Sequence, residues 1–288
     1  MTLAAGLLTA SACRDLTGPN YKGEAIAYLS LDPKAPSMVV IAPDSRTLAR
    51  YPLAFVPYDA RLSPDRTRIA LNDAASKLWI VDLRDRRSAN ILQGAGSLDW
   101  SSDSQHLLFD NNYAHDEAWV VNVDGSAPHA VSHDSLEFAP VWSPDGSHIA
   151  YDSRRDDGAN SGHYRLYIMN ADGTGTYEVP IPVLNASDDM GRPAWSPDGR
   201  ALAFERFGPS STTVAIWVAN VDGTAARQLT QGGAPTMPSW SRDGKTIAYL
   251  DTAGTRSHVF TIDVQSGRVT QVGSSSAGEY RPHWVQWP

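Results

Sequence analysis

Histidine and acidic residues stand side by side at two places in the chain, and this combination suggests acid–base chemistry. His115, Asp116 and Glu117 follow one another at the end of the segment Asn111–Glu117, and a second His–Asp pair begins at His133. An imidazole beside a carboxylate can exchange protons near neutral pH. The same residue types are common in solvated polar loops. We therefore interpret the first cluster as part of a binding face and assign no catalytic residue.

A larger group of charged residues falls in two stretches between Trp142 and Trp195. Oxygen ligands of this kind suit Ca²⁺, but Asp156-Asp157-Gly158 lacks the alternating acids and the distal Glu of a calcium loop. We predict no metal site and no cofactor, and we interpret the stretches as a rim that binds a partner, with plain solvated loops as the alternative. The predicted rim residues are Arg154, Arg155, Asp156, Asp157, His163, Asp188, Asp189 and Arg192, together with His115, Asp116 and Glu117.

Motifs that would carry other chemistries are absent from the sequence. There is no Gly-x-Ser-x-Gly nucleophile elbow and no His-Glu-x-x-His zinc helix. Ser143, Ser196 and Ser241 occur at the same place in successive repeats, and a catalytic serine would not be copied in this way. The sequence therefore favours binding over catalysis.

The single cysteine, Cys13, follows a short apolar run and two small residues. This arrangement resembles a bacterial lipoprotein signal, in which the chain is cut before a cysteine that becomes lipidated. Ala10 stands where Leu is usual, and no basic residue precedes the apolar run. The alternative is a frayed terminus with an incidental cysteine. We predict a signal-peptide-like segment over residues 1–12 and a lipid-anchored, flexible tether over residues 13–23. Arg14 follows the cysteine, which by this resemblance favours the outer membrane.

A repeat organises the rest of the chain. Its clearest copy, Trp142–Tyr151, reads Trp-Ser-Pro-Asp-Gly followed by an apolar run, and related copies begin at Trp195 and Trp240. Weaker copies begin at Leu62 and Trp100. Successive copies begin 38 to 53 residues apart, and recurrence at this spacing indicates an array of one repeated structural unit.

Each copy predicts a four-stranded antiparallel sheet. The segments between turns are rich in β-branched and aromatic residues with a period of two, as in Ala118–Val123. Pro144 presets φ for the first turn, Asp145 can accept hydrogen bonds from the following amides, and Gly146 tolerates a left-handed backbone. A second turn uses Asp-Gly, as at Asp124-Gly125, which hairpins prefer.

The two ends of the chain supply complementary parts of one more sheet. Trp284 stands where the motif's tryptophan falls in the other copies, but only one strand of this last copy is present. Residues 24–53 form a copy without its first strand. Joining them gives six sheets, which we predict to form an all-β, six-bladed β-propeller over residues 24–288, closed by the C-terminal strand. Closure removes exposed sheet edges. The recurrent tryptophans are predicted to pack between neighbouring blades.

The paired Trp-Ser-Pro-Asp-Gly and Asp-Gly turns resemble the TolB-type, WD-repeat-like β-propeller. The resemblance covers nearly all of residues 24–288, and the six-bladed propeller of TolB agrees with the count made here. TolB also has an N-terminal α/β domain, which we do not find, so the resemblance is to its propeller. It implies a partner such as a peptidoglycan-associated lipoprotein or a membrane complex.

The formal net charge of −8 argues against a nucleic-acid partner. We predict a monomeric, non-catalytic propeller that binds a protein or peptide in the periplasm, and contacts the membrane only through its lipid. The alternative is an enzyme, or a propeller that binds a small ligand or carbohydrate, related to the propellers of prolyl-oligopeptidase-like peptidases. Because the repeats end at Pro288, we expect no hydrolase domain after them.

Overall fold

The computed structural model describes residues 22–111, 117–132, 137–154, 162–182, 184–185, 187–208, 213–273 and 277–287. Cys13 and the two predicted N-terminal segments lie outside this part, apart from the last two residues of the tether. Five predicted rim residues also lie outside it, namely His115, Asp116, Arg155, Asp156 and Asp157. Within the described ranges no helix is long and apolar enough to cross a membrane.

The regular elements of the described chain are β-strands. In chain order they are β1 (Gly23–Ser30), β2 (Ser37–Ile41), β3 (Thr47–Pro52), β4 (Asp59–Leu62), β5 (Arg68–Asn72), β6 (Lys77–Asp82), β7 (Ser88–Gln93), β8 (Ala95–Trp100), β9 (His106–Asn111), β10 (Glu117–Asn122), β11 (His129–Ala130), β12 (Glu137–Trp142), β13 (His148–Ser153), β14 (Arg165–Asn170), β15 (Tyr177–Glu178), β16 (Asp189–Trp195), β17 (Ala201–Phe207), β18 (Val214–Asn220), β19 (Arg227–Gln228), β20 (Pro235–Trp240), β21 (Thr246–Asp251), β22 (His258–Asp263), β23 (Val269–Gln271) and β24 (Glu279–Trp287).

These strands form six four-stranded antiparallel blades, which confirms the predicted fold class. Blade 1 has the order β24-β1-β2-β3, and blades 2 to 6 take β4–β7, β8–β11, β12–β15, β16–β19 and β20–β23. In blade 1 the C-terminal strand pairs with the N-terminal strand, with Ile26 opposite Trp284 and Glu24 opposite Gln286. The ring is therefore closed by hydrogen bonds between the two ends of the chain, as predicted.

The second strand of each blade is the centre of the hydrophobic core. Ile149, Ala150 and Tyr151 of β13 are all inaccessible to solvent, so both faces of this strand are covered. Third strands such as β6 and β10 mix buried and half-buried residues, and all three residues of β23, at the outside of blade 6, are exposed. Burial on both faces explains why second strands read as continuous apolar runs, because each lies between two neighbouring blades.

Hydrogen bonds within the Ser-Pro-Asp-Gly motif explain why its spacing is the same in successive blades. The Ser143 hydroxyl donates to Asp145 Oδ1 over 2.7 Å, and the amide of Ser147 donates to the same oxygen over 2.9 Å. The amide of His148 donates to Ser143 Oγ over 2.9 Å. Hydrogen bonds from the Ser147 amide and hydroxyl lower the pKa of Asp145 to about 2. The recurrent serines are therefore turn residues.

The inner strands of four blades carry a β-bulge at the residue before a proline. Ala139, Arg192, Met237 and Arg281 have φ between 47° and 57°, in the left-handed region. In blades 4, 5 and 6, the register between the inner strand (β12, β16 or β20) and the second strand shifts at this residue. Two of the bulge amides donate to acids of the preceding blade, as described below.

The tryptophans at the end of the inner strands connect neighbouring blades. The indole Nε1 of Trp100 donates to the carbonyl of Arg61 over 3.0 Å, and that of Trp195 donates to the carbonyl of Val141 over 3.3 Å. At the closure, His283 Nε2 accepts a hydrogen bond from the amide of Leu62 over 3.2 Å. These contacts fix adjacent blades to each other next to the axis.

Replacing Trp100 should destabilise the ring. Trp100 is 6% exposed and belongs to a core cluster that also contains Ala70, Leu78 and Ile80 of the neighbouring blade 2. Because the smaller side chain leaves a cavity, we expect Trp100→Ala to lower the free energy of unfolding by about 3–5 kcal/mol. Chemical denaturation measures the change. Tyr177→Ala on an exposed outer strand is the matched control and should shift it by about 0.5 kcal/mol at most; equal shifts in both variants would contradict interblade packing.

Candidate functional site

The propeller has two unlike faces. One, which we call the turn face, carries the Pro-Asp-Gly and Asp-Gly turns that join first to second and third to fourth strands. The other, the variable face, carries the connections from second to third strands and from each blade to the next. Loops that differ from blade to blade are where binding residues usually lie. The predicted rim residues that the structure describes all belong to the variable face.

An aromatic and charged cluster lies on the variable face of blade 4. The guanidinium carbon of Arg154 is 4.4 Å from the centroid of the Tyr164 ring, a cation–π contact, and Arg154 itself is exposed. Phe138 contacts Tyr164 in a T-shaped arrangement, with the two ring centroids 5.7 Å apart. Asp189 Oδ1 accepts from the Tyr164 amide over 2.7 Å and lies 3.2 Å from His163 Nδ1. We call these five residues the rim cluster.

Asp188 differs from its neighbour because it is fully buried. Its Oδ1 accepts from Arg206 Nη2 over 2.7 Å, and its Oδ2 accepts from the amide of Asn185 over 3.0 Å. The Asp188 carbonyl also accepts a short hydrogen bond from Arg165. This carboxylate therefore holds the loop before β16 in place and is not presented to a partner.

Arg192 stands on the same strand as Asp189, at the bulge that faces the axis. Its Nη1 lies 3.0 Å from Glu205 Oε2 and 3.2 Å from Thr236 Oγ1. Glu205 is fully buried and also accepts from the amide of Met237 over 2.7 Å. The Arg192 side chain is 41% exposed, so it retains a free edge at the mouth of the channel.

The structure thus brings four predicted residues, Arg154, His163, Asp189 and Arg192, to the variable face of blades 4 and 5. Glu117 is separate, in blade 3, where its Oε2 accepts from the indole of Trp119 over 3.2 Å. The aromatic members of the rim cluster, Phe138 and Tyr164, were not predicted. The signal available for them was their position next to the polar segments that precede β12 and β14.

A channel runs along the axis of the ring and encloses a cavity of about 410 Å³. Its lining includes Arg192 and Arg281 at the bulges, and Arg61 and Asp99, which directly precede Leu62 and Trp100 on the inner strands. The recurrent tryptophans and the prolines Pro64, Pro144 and Pro197 complete the lining. A small molecule or an inserted side chain would meet both charged groups and rings there.

Charged groups in the channel wall are arranged around Asp59, which is fully buried. Asp59 Oδ1 is 3.5 Å from Arg61 Nε, and Oδ2 is 3.7 Å from Arg281 Nη1. Burial acts to raise the pKa of Asp59, but the guanidinium groups of Arg281 and Arg61 hold it below its usual value. Burial lowers the pKa of the neighbouring His283 to about 3, so this imidazole is neutral at pH 7.

A row of buried polar side chains lies behind the channel at the variable-face ends of the second strands. Asn72, Asp110, Asp152 and Glu205 occupy equivalent positions in blades 2 to 5, where blades 1 and 6 have leucine. Asp152 Oδ1 accepts from the bulge amide of Arg192 over 2.9 Å, and the Asn72 amide donates to the carbonyls of Ala95 and Gly96. The residue after the aromatic one in each apolar run was the overlooked signal for this row.

The described part of the chain contains no group of three or more His, Cys, Asp or Glu residues that could hold a metal ion. The described members of the predicted rim offer a cation, an imidazole and a carboxylate around an aromatic ring. Such a set can recognise a polypeptide surface through cation–π contacts, hydrogen bonds and ion pairs.

Asp152 should make stability depend on pH. Burial raises the pKa of Asp152 to about 7, so the folded protein holds a proton there that the unfolded chain releases above about pH 4. This contribution to the free energy of unfolding therefore decreases as the pH rises towards 7, by at most about 1.4 kcal/mol per pH unit. We expect Asp152→Asn to flatten this decline in denaturant titrations between pH 4.5 and 8.

The neutral His283 acts in the opposite direction, because the unfolded chain takes up a proton below about pH 6.5 that His283 refuses. The informative quantity is therefore the difference between variant and parent at each pH. Asp85→Asn, at an exposed turn, is the matched control. Parallel pH profiles for the parent and Asp152→Asn would contradict the assignment.

The comparisons with known proteins agree with this architecture. The chain is 29% identical over 143 residues to dipeptidyl-peptidase 5 of Porphyromonas gingivalis, which covers 46% of this chain and 20% of that protein. It is 32% identical over 105 residues to the Tol-Pal system protein TolB of Gluconobacter oxydans, covering 34% and 22%. The chain spans about half or less of the length of the curated relatives that it matches.

Among solved structures, TolB from Acinetobacter baumannii superposes with a TM-score of 0.76 at 18% identity, covering 91% of this chain and 66% of that one. This likeness concerns the fold. The profile of the TolB beta propeller domain matches residues 120–286, which is more than half of the chain. The chain therefore belongs to the TolB beta propeller domain family.

Proposed function

We propose that this chain is a non-catalytic module of the bacterial cell envelope that binds a protein or peptide on its variable face. The observation that carries the proposal is the rim cluster. Arg154 is exposed and lies over the Tyr164 ring, while Phe138 packs against that ring and Asp189 accepts a hydrogen bond from the Tyr164 amide. A cation positioned by a fixed aromatic ring is typical of protein-binding surfaces, where Arg and Tyr are enriched.

The contrast between the two faces supports this choice of surface. On the turn face the carboxylates of the turns are already engaged, as Asp145, Asp198 and Asp243 each accept from their neighbouring serine and backbone amide. These groups stabilise their own turns. The variable face carries the side chains that differ between blades, and the partner would be selected there.

The relatives favour the envelope as the setting. One of them is named as TolB of the Tol-Pal system, although this chain spans only 22% of it. With the signal-like N-terminus, this similarity supports a periplasmic monomer tethered to a membrane, with the outer membrane favoured, through a lipid on Cys13. We extend to this chain only the binding of a protein partner in the envelope.

An enzyme, or a propeller that binds a small ligand or carbohydrate, is the second candidate. It is favoured by the similarity to dipeptidyl-peptidase 5, which is limited to 20% of that protein, and by the cavity in the axial channel. The first proposal accounts for the exposed rim cluster, and this one does not.

Charge reversal on the rim should abolish partner capture. We expect Arg154→Glu to lose the cation–π contact with Tyr164 and to lower recovery of the bound protein at least tenfold. The measurement is crosslinking in native envelopes followed by affinity purification and quantitative mass spectrometry. The intact protein and each variant are compared at equal abundance, after thermal unfolding shows that they are folded.

Arg200→Glu is the matched control, because Arg200 is also exposed but lies on the turn face. The proposal requires one protein to be recovered with the parent and with Arg200→Glu, and to be lost with Arg154→Glu. Equal recovery with both variants would move the interface away from the rim. Recovery of no specific protein by the folded parent would favour the second candidate.

The proposed lipid anchor has its own test. Cys13→Ser should abolish incorporation of a labelled fatty acid and shift the protein from the membrane fraction to the soluble fraction. Ser11→Ala, which keeps the cysteine, should leave both properties unchanged. A protein that remains in the membrane fraction without Cys13 would be held there by another interaction.

A further inference from the structure

Two arginines in the channel wall share one carboxylate. Arg61 Nε is 3.5 Å from Asp59 Oδ1, and Arg281 Nη1 is 3.7 Å from Asp59 Oδ2. Both separations exceed a good charge-assisted hydrogen bond, which is about 2.7–2.9 Å. Asp59 therefore neutralises part of the charge but satisfies few of the ten N–H donors that two guanidinium groups carry.

Arg281 is the more constrained of the two. It is only 4% exposed, and its guanidinium carbon lies 5.5 Å from the ring centroid of Tyr58 and 5.4 Å from that of Tyr280. Among the described residues no acceptor hydrogen-bonds to its Nε, and the same holds for Nε of Arg61. A buried donor without an acceptor is destabilising, and more so when it is charged.

The nearby carboxylates make no hydrogen bond to either Nε, and Asp59 Oδ1 likewise has no hydrogen-bond partner among the described residues. Asp59 Oδ2 accepts from the amide of Leu98 over 3.1 Å, and Asp99 Oδ2 accepts from the amide of Trp142 over 2.8 Å. Asp110 Oδ1 accepts from the amide of Ser97 over 2.5 Å. Each acid is therefore held through one oxygen by a backbone amide of an inner strand, and turning the whole carboxylate towards the guanidinium groups would break that hydrogen bond.

We propose that Arg61 and Arg281 form a carboxylate-binding site in the wall of the axial channel. Both arginines line the cavity of about 410 Å³, and the Arg61 side chain is 21% exposed to it. A carboxylate is planar and accepts two parallel N–H bonds from a guanidinium. It would add acceptors for guanidinium N–H groups that Asp59 does not engage.

Two kinds of ligand could provide this carboxylate. One is a small organic acid, and the other is a peptide that enters from the variable face with its free C-terminal carboxylate. A cavity of about 410 Å³ is compatible with both. This site is distinct from the rim cluster, which acts through exposed groups of blades 4 and 5. It therefore goes beyond the proposed function and can fail independently of it.

Isothermal titration of the purified full chain tests the site with defined probes. Succinate represents the small acid, and its neutral isostere succinamide is the chemical control. The peptide Gly-Gly-Ala-Ala with a free C-terminal carboxylate represents the second source, with its C-terminal amide as control. We expect at least one acid to bind and its neutral counterpart to bind at least tenfold more weakly.

Arg281→Gln and Arg61→Gln should each weaken that binding at least tenfold. Arg61→Gln is included because Arg281 is buried and its replacement could impair folding, which circular dichroism and thermal unfolding will report. Arg242→Gln is the matched control, since Arg242 lines the turn-face end of the same channel and is exposed. The Arg242→Gln variant should bind the acid with the same affinity as the parent.

The outcomes separate the sources and the proposals. Binding of succinate alone identifies a small acid, and binding of the free-acid peptide alone identifies a chain terminus. No binding of either acid by the folded parent, or equal binding by both arginine variants, would overturn the site. A partner captured through Arg154 with no carboxylate binding would leave the proposed function standing and remove this inference.

Discussion

The pairing of the first and last strands is the constraint on which the rest of the molecule depends. Six blades connected only along the chain would form an open array with two free ends. Here β24 pairs with β1 and completes blade 1, which closes the array into a ring. The join is reinforced near the axis, where His283 accepts from the amide of Leu62 in the next blade. Because closure removes the free ends of the array, every second strand acquires a neighbour on both sides.

Closure also determines where polar groups can be buried. Next to the axis the inner strands approach one another, and their amides and carbonyls cannot all be satisfied within a blade. The bulges turn some of these amides towards the preceding blade, where Asp152 and Glu205 accept them. Buried carboxylates that would be costly alone are thereby linked to the backbone of a second blade, and they join the blades by hydrogen bonds as well as by apolar contact.

The repeated parts of the fold were predictable from the sequence. Apolar runs of the Ile-Ala-Tyr type, Pro-Asp-Gly and Asp-Gly turns, and the complementary ends each encode a local preference that agrees with the global ring. The bulges were not predicted, since their positive φ depends on how the inner strands converge, although a proline after Ala139 and Arg192 marked the positions. Propensity alone does not place a left-handed residue before proline.

The candidate site was predictable in part. The insertions of blade 4 pointed to the variable face, and Arg154, His163, Asp189 and Arg192 lie there. Sequence spacing could not show that Asp188 turns inward to Arg206 while Asp189 turns towards His163, because adjacent residues of a loop have no fixed period. Nor could it place Arg61 and Arg281, which are far apart in the chain, around Asp59.

The bulge before each proline separates two roles within one residue. Its backbone amide can serve the joint with the preceding blade, while its side chain lines the channel, as for Ala139, Arg192, Met237 and Arg281. A substitution there leaves the peptide hydrogen bond available, although the loss of a side chain such as Arg192 also removes its ion pair with Glu205. At a position such as Ala139, where the side chain makes no such pair, the mouth of the propeller can change without that cost, so relatives of one architecture could acquire different ligands there.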